Sequence, residues 1–207
     1  LNIKSMRFPV LWERYEAEQG QLIDWTFARE GIDKLLSLGI SPIVGLLHHG
    51  SGPLFTDLLD DEFSSKFSEY AKQVAEAFPE VVHYCPINEP LTTARFSGLY
   101  GFWYPHCEDP YHFAKILLNE LKGIVLAMRA IRSVNPLAKL IQTEDLTKIH
   151  STPHLRYQAE FENLRRWLTF DLLCGKINSH HGMWSYLTSL GISENELEFF
   201  VDNPCPP

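Results

Sequence analysis

Basic clusters, close cysteine pairs and long apolar runs are all missing from this sequence. Its 18 Lys and Arg stand against 26 Asp and Glu, for a formal net charge of -8. A nucleic-acid partner requires a basic face that neutralises phosphates, so we expect none. The 4 cysteines are scattered without a C-x-x-C pair, which predicts reduced thiols in a cytoplasmic protein. No signal peptide or membrane span is visible, so we expect no membrane partner.

The chain instead alternates strand-like and helix-like segments. Apolar runs bounded by turn residues predict strands at Lys4–Trp12, Ser41–Leu47, Val81–Ile87 and Ala138–Thr143. Helical spacing of apolar residues predicts helices at Trp25–Gly39, Asp60–Phe78, Pro110–Val134, Leu155–Gly175, Gly182–Gly191 and Ser193–Asp202. This alternation predicts βαβ units and therefore an α/β fold with a parallel sheet.

A doubly wound open sheet and part of a (β/α)8 TIM barrel both fit this alternation. No G-x-G-x-x-G motif or P-loop follows any predicted strand, which argues against a nucleotide-binding doubly wound sheet. Each strand runs instead into polar residues, at "LWER", "LLHHG", "PINEP" and "QTEDL". Because the chemistry of a parallel barrel gathers at the C-terminal ends of its strands, these endings predict a barrel with a polar cleft.

The "PINEP" ending carries a resemblance to a known family. The chain resembles glycoside hydrolase family 1, the β-glucosidase and β-galactosidase family of retaining glycosidases. "MRFPVLWER" is similar to that family's R-F-S-x-x-W-x-R motif, and "LGISPIVGLLHHGSGP" to G-I-x-P-x-V-T-L-x-H-W-D-x-P. "FSEYAKQVAEAFPEVVHYCPINEP" resembles the helix and strand that end in T-x-N-E-P, and "AMRAIRSVNPLAKL" resembles the helix that enters the next strand.

The resemblance implies that the chain is one partial barrel domain over residues 1–207, covering about strands two to five and the following helices. A partial barrel exposes sheet edges, so the expected partner is the rest of its own barrel or an adjoining domain. The family's nucleophile glutamate belongs on the seventh strand, and nothing after Thr143 offers such a strand. We therefore expect the nucleophile to lie outside this chain.

Site roles follow from the resemblance, residue by residue. Glu89 matches the acid/base carboxylate, and Asn88 the amide that contacts the sugar's 2-hydroxyl. His48 matches the histidine of the glycone subsite, and Arg7 the arginine close to the nucleophile. The Trp that normally follows the subsite histidine is His49 here, and "GSGP" replaces the usual D-x-P. No cofactor or metal is implied.

The end of the fourth predicted strand adds Gln142 and Glu144 as candidate substrate-binding residues. They share one face of the strand because side chains alternate along it. For Glu144 the alternative is a helix cap or a salt bridge to a loop arginine; in neither case do we expect it to replace the nucleophile. At the third strand's end, Pro90 predicts an extended backbone at Glu89.

Two further clusters follow the acid/base strand. The ligand-like residues His106, Cys107, Glu108, Asp109 and His112 match no structural zinc spacing and are interpreted as a polar loop. The aromatic residues Phe102, Trp103 and Tyr104 either form a platform for a sugar face or pack under their loop.

The leading functional hypothesis is a retaining β-glycosidase that acts on a small saccharide or β-glycoside with two carboxyl groups. A second hypothesis is a barrel that binds a saccharide without hydrolysing it, as one domain of a larger protein fused to a sugar-nucleotide reductase. The third is another glycosidase family with the same barrel and Asn–Glu pair, such as the cellulase and mannanase families.

Overall fold

The computed structural model describes residues 2–207, which divide into two compact units. The first comprises residues 2–88, Lys122–Thr143 and Pro207. The second comprises Glu89–Leu121 and Glu144–Pro206. Within residues 2–207, no helix combines the length and apolar character that crossing a membrane requires.

The first unit is built on a four-stranded parallel sheet. Its strands are β1 (Ser5–Pro9), β2 (Ser41–Leu47), β3 (His83–Ile87) and β4 (Lys139–Leu140), in the order β1-β2-β3-β4. The parallel α/β sheet expected from the sequence is thus confirmed. β4 is shorter than predicted, because only Lys139 and Leu140 pair with β3 before the chain leaves the sheet.

Helices connect successive strands, as parallel pairing requires. The elements of this unit are the short α1 (Trp12–Tyr15), α2 (Thr26–Ser37), α3 (Phe63–Ala77) and the C-terminal part of α5 (Pro110–Val134). Of these, α5 has the bounds that its apolar spacing predicted, whereas α1 was not predicted. The first turn of α5 suits Pro110, whose missing N–H has no partner to lose at that position.

Aromatic side chains form the core of the first unit around Trp12. This ring is fully buried and stacks on Tyr70 at 6.1 Å between ring centroids. Phe63 and Phe67 of α3 approach it at 6.0 and 5.6 Å. The Trp12 indole N–H donates to Glu16 at 2.8 Å, which satisfies its one polar group. Trp12 therefore supports the packing of the sheet.

The second unit is helical. It contains α4 (Pro90–Ala94), a π-helix (Arg95–Leu99), the N-terminal part of α5, a 3₁₀ helix (Pro153–Leu155), α6 (Arg156–Arg165), α7 (Leu168–Leu173), α8 (Trp184–Ser189) and α9 (Glu194–Asp202). A capping box between Ser193 and Glu196 starts α9.

The single helix predicted over Leu155–Gly175 is wrong, since α6 and α7 are separate. At the break, the Trp167 N–H bonds the Leu164 carbonyl three residues back, which tightens the last turn. Arg166 donates to the Asp145 backbone carbonyl at 3.1 Å and to its carboxylate at 2.5 Å. Apolar spacing carries no information on this non-local contact.

Candidate functional site

The carboxyl ends of β2 and β3 lie side by side in the first unit. Leu47 and Ile87 are in register, and the Asn88 N–H donates to the Leu47 carbonyl at 3.0 Å. His48 and Asn88 therefore leave two adjacent strands at the same edge. The polar strand endings predicted that such residues gather at one edge of the sheet, and the pairing of β2 with β3 places these two there.

A hydrogen-bond network holds the side-chain amide of Asn88, which is only 2% exposed. Its Oδ1 accepts from the Arg7 guanidinium at 2.7 Å and from the Thr143 hydroxyl at 3.1 Å. Its Nδ2 lies 3.1 Å from Nε2 of His49. Because a guanidinium only donates, the atom of Asn88 that faces Arg7 must be the oxygen Oδ1. The nitrogen Nδ2 must then face His49. His49 Nε2 is then the acceptor of that bond.

One side-chain N–H of Asn88 is not used in this network. The amide nitrogen carries two N–H bonds, and His49 accepts one of them. Within residues 2–207 the second N–H makes no hydrogen bond, which leaves it as a candidate donor to a ligand oxygen. A donor whose orientation is fixed from both sides is suited to select a hydroxyl at one position.

Arg7 and His48 line a cavity of about 490 Å³ in the first unit, together with Phe8, Pro9, Leu11, Gly45 and Leu47. Both polar side chains are exposed. The centroids of the His48 and His49 rings are 4.5 Å apart, and the two rings meet edge to face. The cavity thus combines an apolar wall with a cationic group and an imidazole, a lining typical of small-molecule sites.

Gln142 lies at the end of β3 as well, although it follows β4 in the chain. Its Nε2 donates to the Ile87 carbonyl at 3.2 Å and to the Thr143 carbonyl at 2.9 Å. Its Oε1 is buried and has no partner among residues 2–207. A buried acceptor without a partner is unfavourable, so this oxygen is a second group that a ligand hydroxyl can satisfy.

Glu89 begins the second unit at the N-terminus of α4. Its backbone has φ 45° and ψ 60°, the left-handed conformation. The extended backbone predicted for the residue before Pro90 is therefore wrong: proline disfavours the right-handed helical region at this position, and the tight turn into α4 uses the left-handed one. Residues without glycine's freedom adopt this conformation where surrounding contacts hold it, often at functional positions. The side chain of Glu89 is half-buried.

Glu144 is bound to groups of the second unit. Its Oε2 accepts from the Leu91 N–H at 3.0 Å and from the Thr169 hydroxyl at 2.7 Å. Its Oε1 accepts from the Thr92 hydroxyl at 3.4 Å and from the Asp145 N–H at 3.3 Å. Burial raises the pKa of this carboxyl, while the hydrogen bond from Thr169 opposes that shift. The helix-cap alternative for Glu144 thus has direct geometric support.

Another carboxyl group in the second unit is fully buried. Both oxygens of Glu120, on α5, lack a hydrogen-bond partner among residues 2–207. Burial raises the pKa of Glu120 well above its usual range, and the negative charge of Glu144 adds to the shift. The protein interior therefore favours the neutral form of the Glu120 carboxyl more than water does.

Sequence reasoning missed the supporting residues Thr143, Thr169 and Glu120, and it noted His49 only as a departure. Thr143 follows β4, so its position at a strand end was the available signal. Thr169 and Glu120 lie inside helical segments, where nothing in the sequence distinguishes them from packing residues. Their importance comes from contacts with distant parts of the chain.

The aromatic residues Phe102–Tyr104 and the ligand-like residues between His106 and His112 lie in the loop before α5 and at the start of that helix. Phe102 and Tyr104 are 67% and 55% exposed, whereas Trp103 packs against Phe96 at 4.7 Å between centroids. Asp109 caps α5 through the His112 N–H at 3.0 Å. Within residues 2–207, no group of three or more His, Cys, Asp or Glu side chains is arranged to hold a metal ion.

A parallel sheet whose strands are joined by helices and end in polar side chains has the arrangement of part of a (β/α) barrel. Among solved structures, β-glucosidase from Thermotoga maritima is similar to this chain with a TM-score of 0.81 and 20% identity, over 98% of this chain and 48% of that one. The β-glycosidase from Pyrococcus horikoshii has a TM-score of 0.73 and 25% identity, over 82% of this chain and 42% of that one. The AHE enzyme from Alicyclobacillus herbarius has a TM-score of 0.81 and 19% identity, over 97% of this chain and 49% of that one.

The chain spans about half the length of these solved structures. No protein-family model and no curated protein matches it. The chain therefore has the fold of part of a family 1 glycosidase barrel, which confirms the predicted fold class and the family resemblance at the level of the fold.

Proposed function

We propose that the full-length protein is a retaining β-glycosidase that hydrolyses small β-glycosides, with Glu89 as its acid/base residue. One observation carries the proposal: the amide of Asn88, the residue directly before Glu89, is buried and oriented by Arg7, Thr143 and His49. Such an oriented amide is what recognition of a single sugar hydroxyl needs. The similar Thermotoga enzyme was solved in complex with deoxynojirimycin and with glucoimidazole, which supports a saccharide as the ligand.

The chemistry requires two carboxyl groups about 5–5.5 Å apart. In the first step, Glu89 gives its proton to the leaving oxygen while a nucleophile carboxylate attacks the anomeric carbon. In the second, Glu89 takes a proton from the water that releases the sugar. The nucleophile is supplied from outside this chain. Asn88 and Gln142 bind sugar hydroxyls, and Arg7 and His48 line the cavity beside them.

Glu144 is not assigned the nucleophile's role. Its two oxygens already accept hydrogen bonds from Leu91, Thr92, Asp145 and Thr169. A nucleophile must present a lone pair to the anomeric carbon, and each of these bonds would have to weaken for Glu144 to do so.

A saccharide-binding barrel without hydrolysis, within a larger sugar-nucleotide protein, is the second candidate. His49 favours it, because a histidine bound to Asn88 stands where the resembled family has tryptophan. Arg7, His48, Asn88 and Gln142 provide binding contacts alone, so the two candidates differ in whether a second carboxylate completes the site.

Release of nitrophenol from aryl β-glucosides and β-galactosides by the full-length protein tests the proposal. We expect Glu89→Ala to lower kcat/KM by about 10²–10⁴-fold on substrates with poor leaving groups. Glu108→Ala, which removes an exposed carboxylate from the loop after the π-helix, is the matched control and should retain activity. No release by the wild type, together with saturable binding of the same glycosides by calorimetry, would favour the binding candidate.

A further inference from the structure

The first turn of α4 takes its cap from a distant residue. Glu89 occupies the N-cap position, yet its side chain makes no capping hydrogen bond. Helix starts leave N–H groups without partners inside the helix, and a side-chain oxygen usually satisfies them. Here the Leu91 N–H donates to Glu144 instead, across 53 positions of sequence.

Glu144 is anchored on its other side as well. The Thr169 hydroxyl of α7 donates to the same Oε2 that binds Leu91, at 2.7 Å. Thr169 is fully buried, so this bond is shielded from water. The carboxylate thus ties the start of α4 to α7 inside the second unit.

Glu89 needs such an anchor because its backbone is left-handed. The conformation is unfavourable for a residue with a Cβ atom and persists where the following segment is held in place. Its carbonyl accepts from the Thr93 N–H at 3.0 Å, so the Glu89 backbone is continuous with the first turn of α4. A shift of that turn would therefore change the direction in which the Glu89 side chain leaves the backbone.

We infer that Glu144 is a positioning residue for Glu89: its carboxylate caps α4 and thereby fixes the acid/base side chain, rather than contacting substrate. The inference rests on the proposed role of Glu89 in glycoside hydrolysis. It replaces the expectation that Glu144 binds the sugar, because the carboxylate's hydrogen-bonding capacity is taken up by protein donors.

The test compares substrates that differ in their need for a proton. Hydrolysis of a phenyl glycoside depends on protonation of the leaving oxygen. The dinitrophenolate of a dinitrophenyl glycoside, in contrast, leaves without being protonated. In full-length Glu144→Ala, we expect kcat/KM on the phenyl glycoside to fall by about 10–100-fold. On the dinitrophenyl glycoside, kcat/KM of the same variant should fall less than about threefold, and KM should change little.

Graded variants separate positioning from general damage. Glu144→Gln keeps an acceptor for the Leu91 N–H and should recover part of the lost phenyl-glycoside activity. Thr169→Val removes the second anchor and should shift the ratio of the two substrates in the same direction as Glu144→Ala. Glu162→Gln, a carboxylate of the same unit that binds Arg165 at 2.5 Å, is the matched control and should leave the ratio unchanged.

The outcomes are distinct. An equal fall on both glycosides, or a rise in KM alone, overturns the positioning role and returns Glu144 to a structural or substrate-binding role. If wild type hydrolyses neither glycoside, the proposed function fails, and amide hydrogen exchange decides the positioning separately. Faster exchange at Leu91 and Thr92 in Glu144→Ala supports the cap, while unchanged exchange overturns it.

Discussion

The guanidinium of Arg7 donates to Oδ1 of Asn88 across 2.7 Å, and because a guanidinium cannot accept, this bond identifies which end of the amide is the oxygen. With Oδ1 fixed, the amide nitrogen faces His49, and its second N–H makes no hydrogen bond within residues 2–207. His49, which differs from the resembled family, therefore belongs to the same hydrogen-bond network as Asn88, which matches that family.

His49 is expected to contribute to ligand binding through its acceptor nitrogen. His49→Phe leaves the Asn88 N–H without a partner, and we expect saccharide affinity to fall by about 10-fold, the effect of about one lost hydrogen bond. His49→Gln can still accept and should lose less. Calorimetric titration of both full-length variants measures the difference; equal affinities for Phe and Gln would contradict the acceptor role.

Glu89 should be a position where stability and function conflict. Because its φ is 45°, glycine fits the backbone better than any residue with a Cβ atom. We expect Glu89→Gly to be more stable than Glu89→Ala by about 1 kcal/mol. Both variants lack the carboxyl group, so they form a matched pair. Urea denaturation measures the gap, and an alanine variant as stable as the glycine variant would show that the left-handed backbone is not held there.

Glu120 should make stability depend on pH with a definite sign. Its pKa is raised in the native state by burial, so the native state keeps a proton that the unfolded chain loses above about pH 4.3. The native state then binds more protons, and stability falls as pH rises towards the native pKa. Its contribution is fully present below about pH 4.3 and is lost as pH passes the native value.

Glu120→Gln removes this dependence. We expect the stability of the variant relative to wild type, measured as urea midpoints, to rise as the pH increases above about 4.3 and to level off once the native pKa of Glu120 is passed. Glu160→Gln makes the same chemical change at an exposed position of α6 and serves as the control. A stability difference for Glu120→Gln that does not vary with pH would contradict the buried-proton assignment.

Two buried tyrosines of the first unit should respond oppositely to removal of the hydroxyl. The Tyr70 hydroxyl donates to the Val10 carbonyl at 2.9 Å, so Tyr70→Phe leaves a buried acceptor unpaired. We expect a loss of about 1–2 kcal/mol. The Tyr84 hydroxyl is buried without a partner among residues 2–207, so Tyr84→Phe should be neutral or stabilising. Thermal unfolding of the two variants tests the contrast; similar losses in both would contradict it.

Local pattern was sufficient for much of the fold. The strand β2 and the helix α5 have the bounds that their apolar runs, turn residues and Pro110 predicted. The alternation of strands and helices predicted the parallel sheet, and polar strand endings placed His48 and Asn88 at adjacent strand ends. These features depend on residues within a few positions of each other, where composition and spacing carry the information.

Contacts between distant residues decided the rest. Arg7 and Asn88 are 81 positions apart, and Leu91 is 53 positions from Glu144. The cap of α4 and the contacts at the break between α6 and α7 both involve such partners. A residue's type limits which hydrogen bonds it can make, but the folded chain decides which donor and acceptor meet. For that reason Glu144 was named from the sequence, while its place at the start of α4 came only from the tertiary structure.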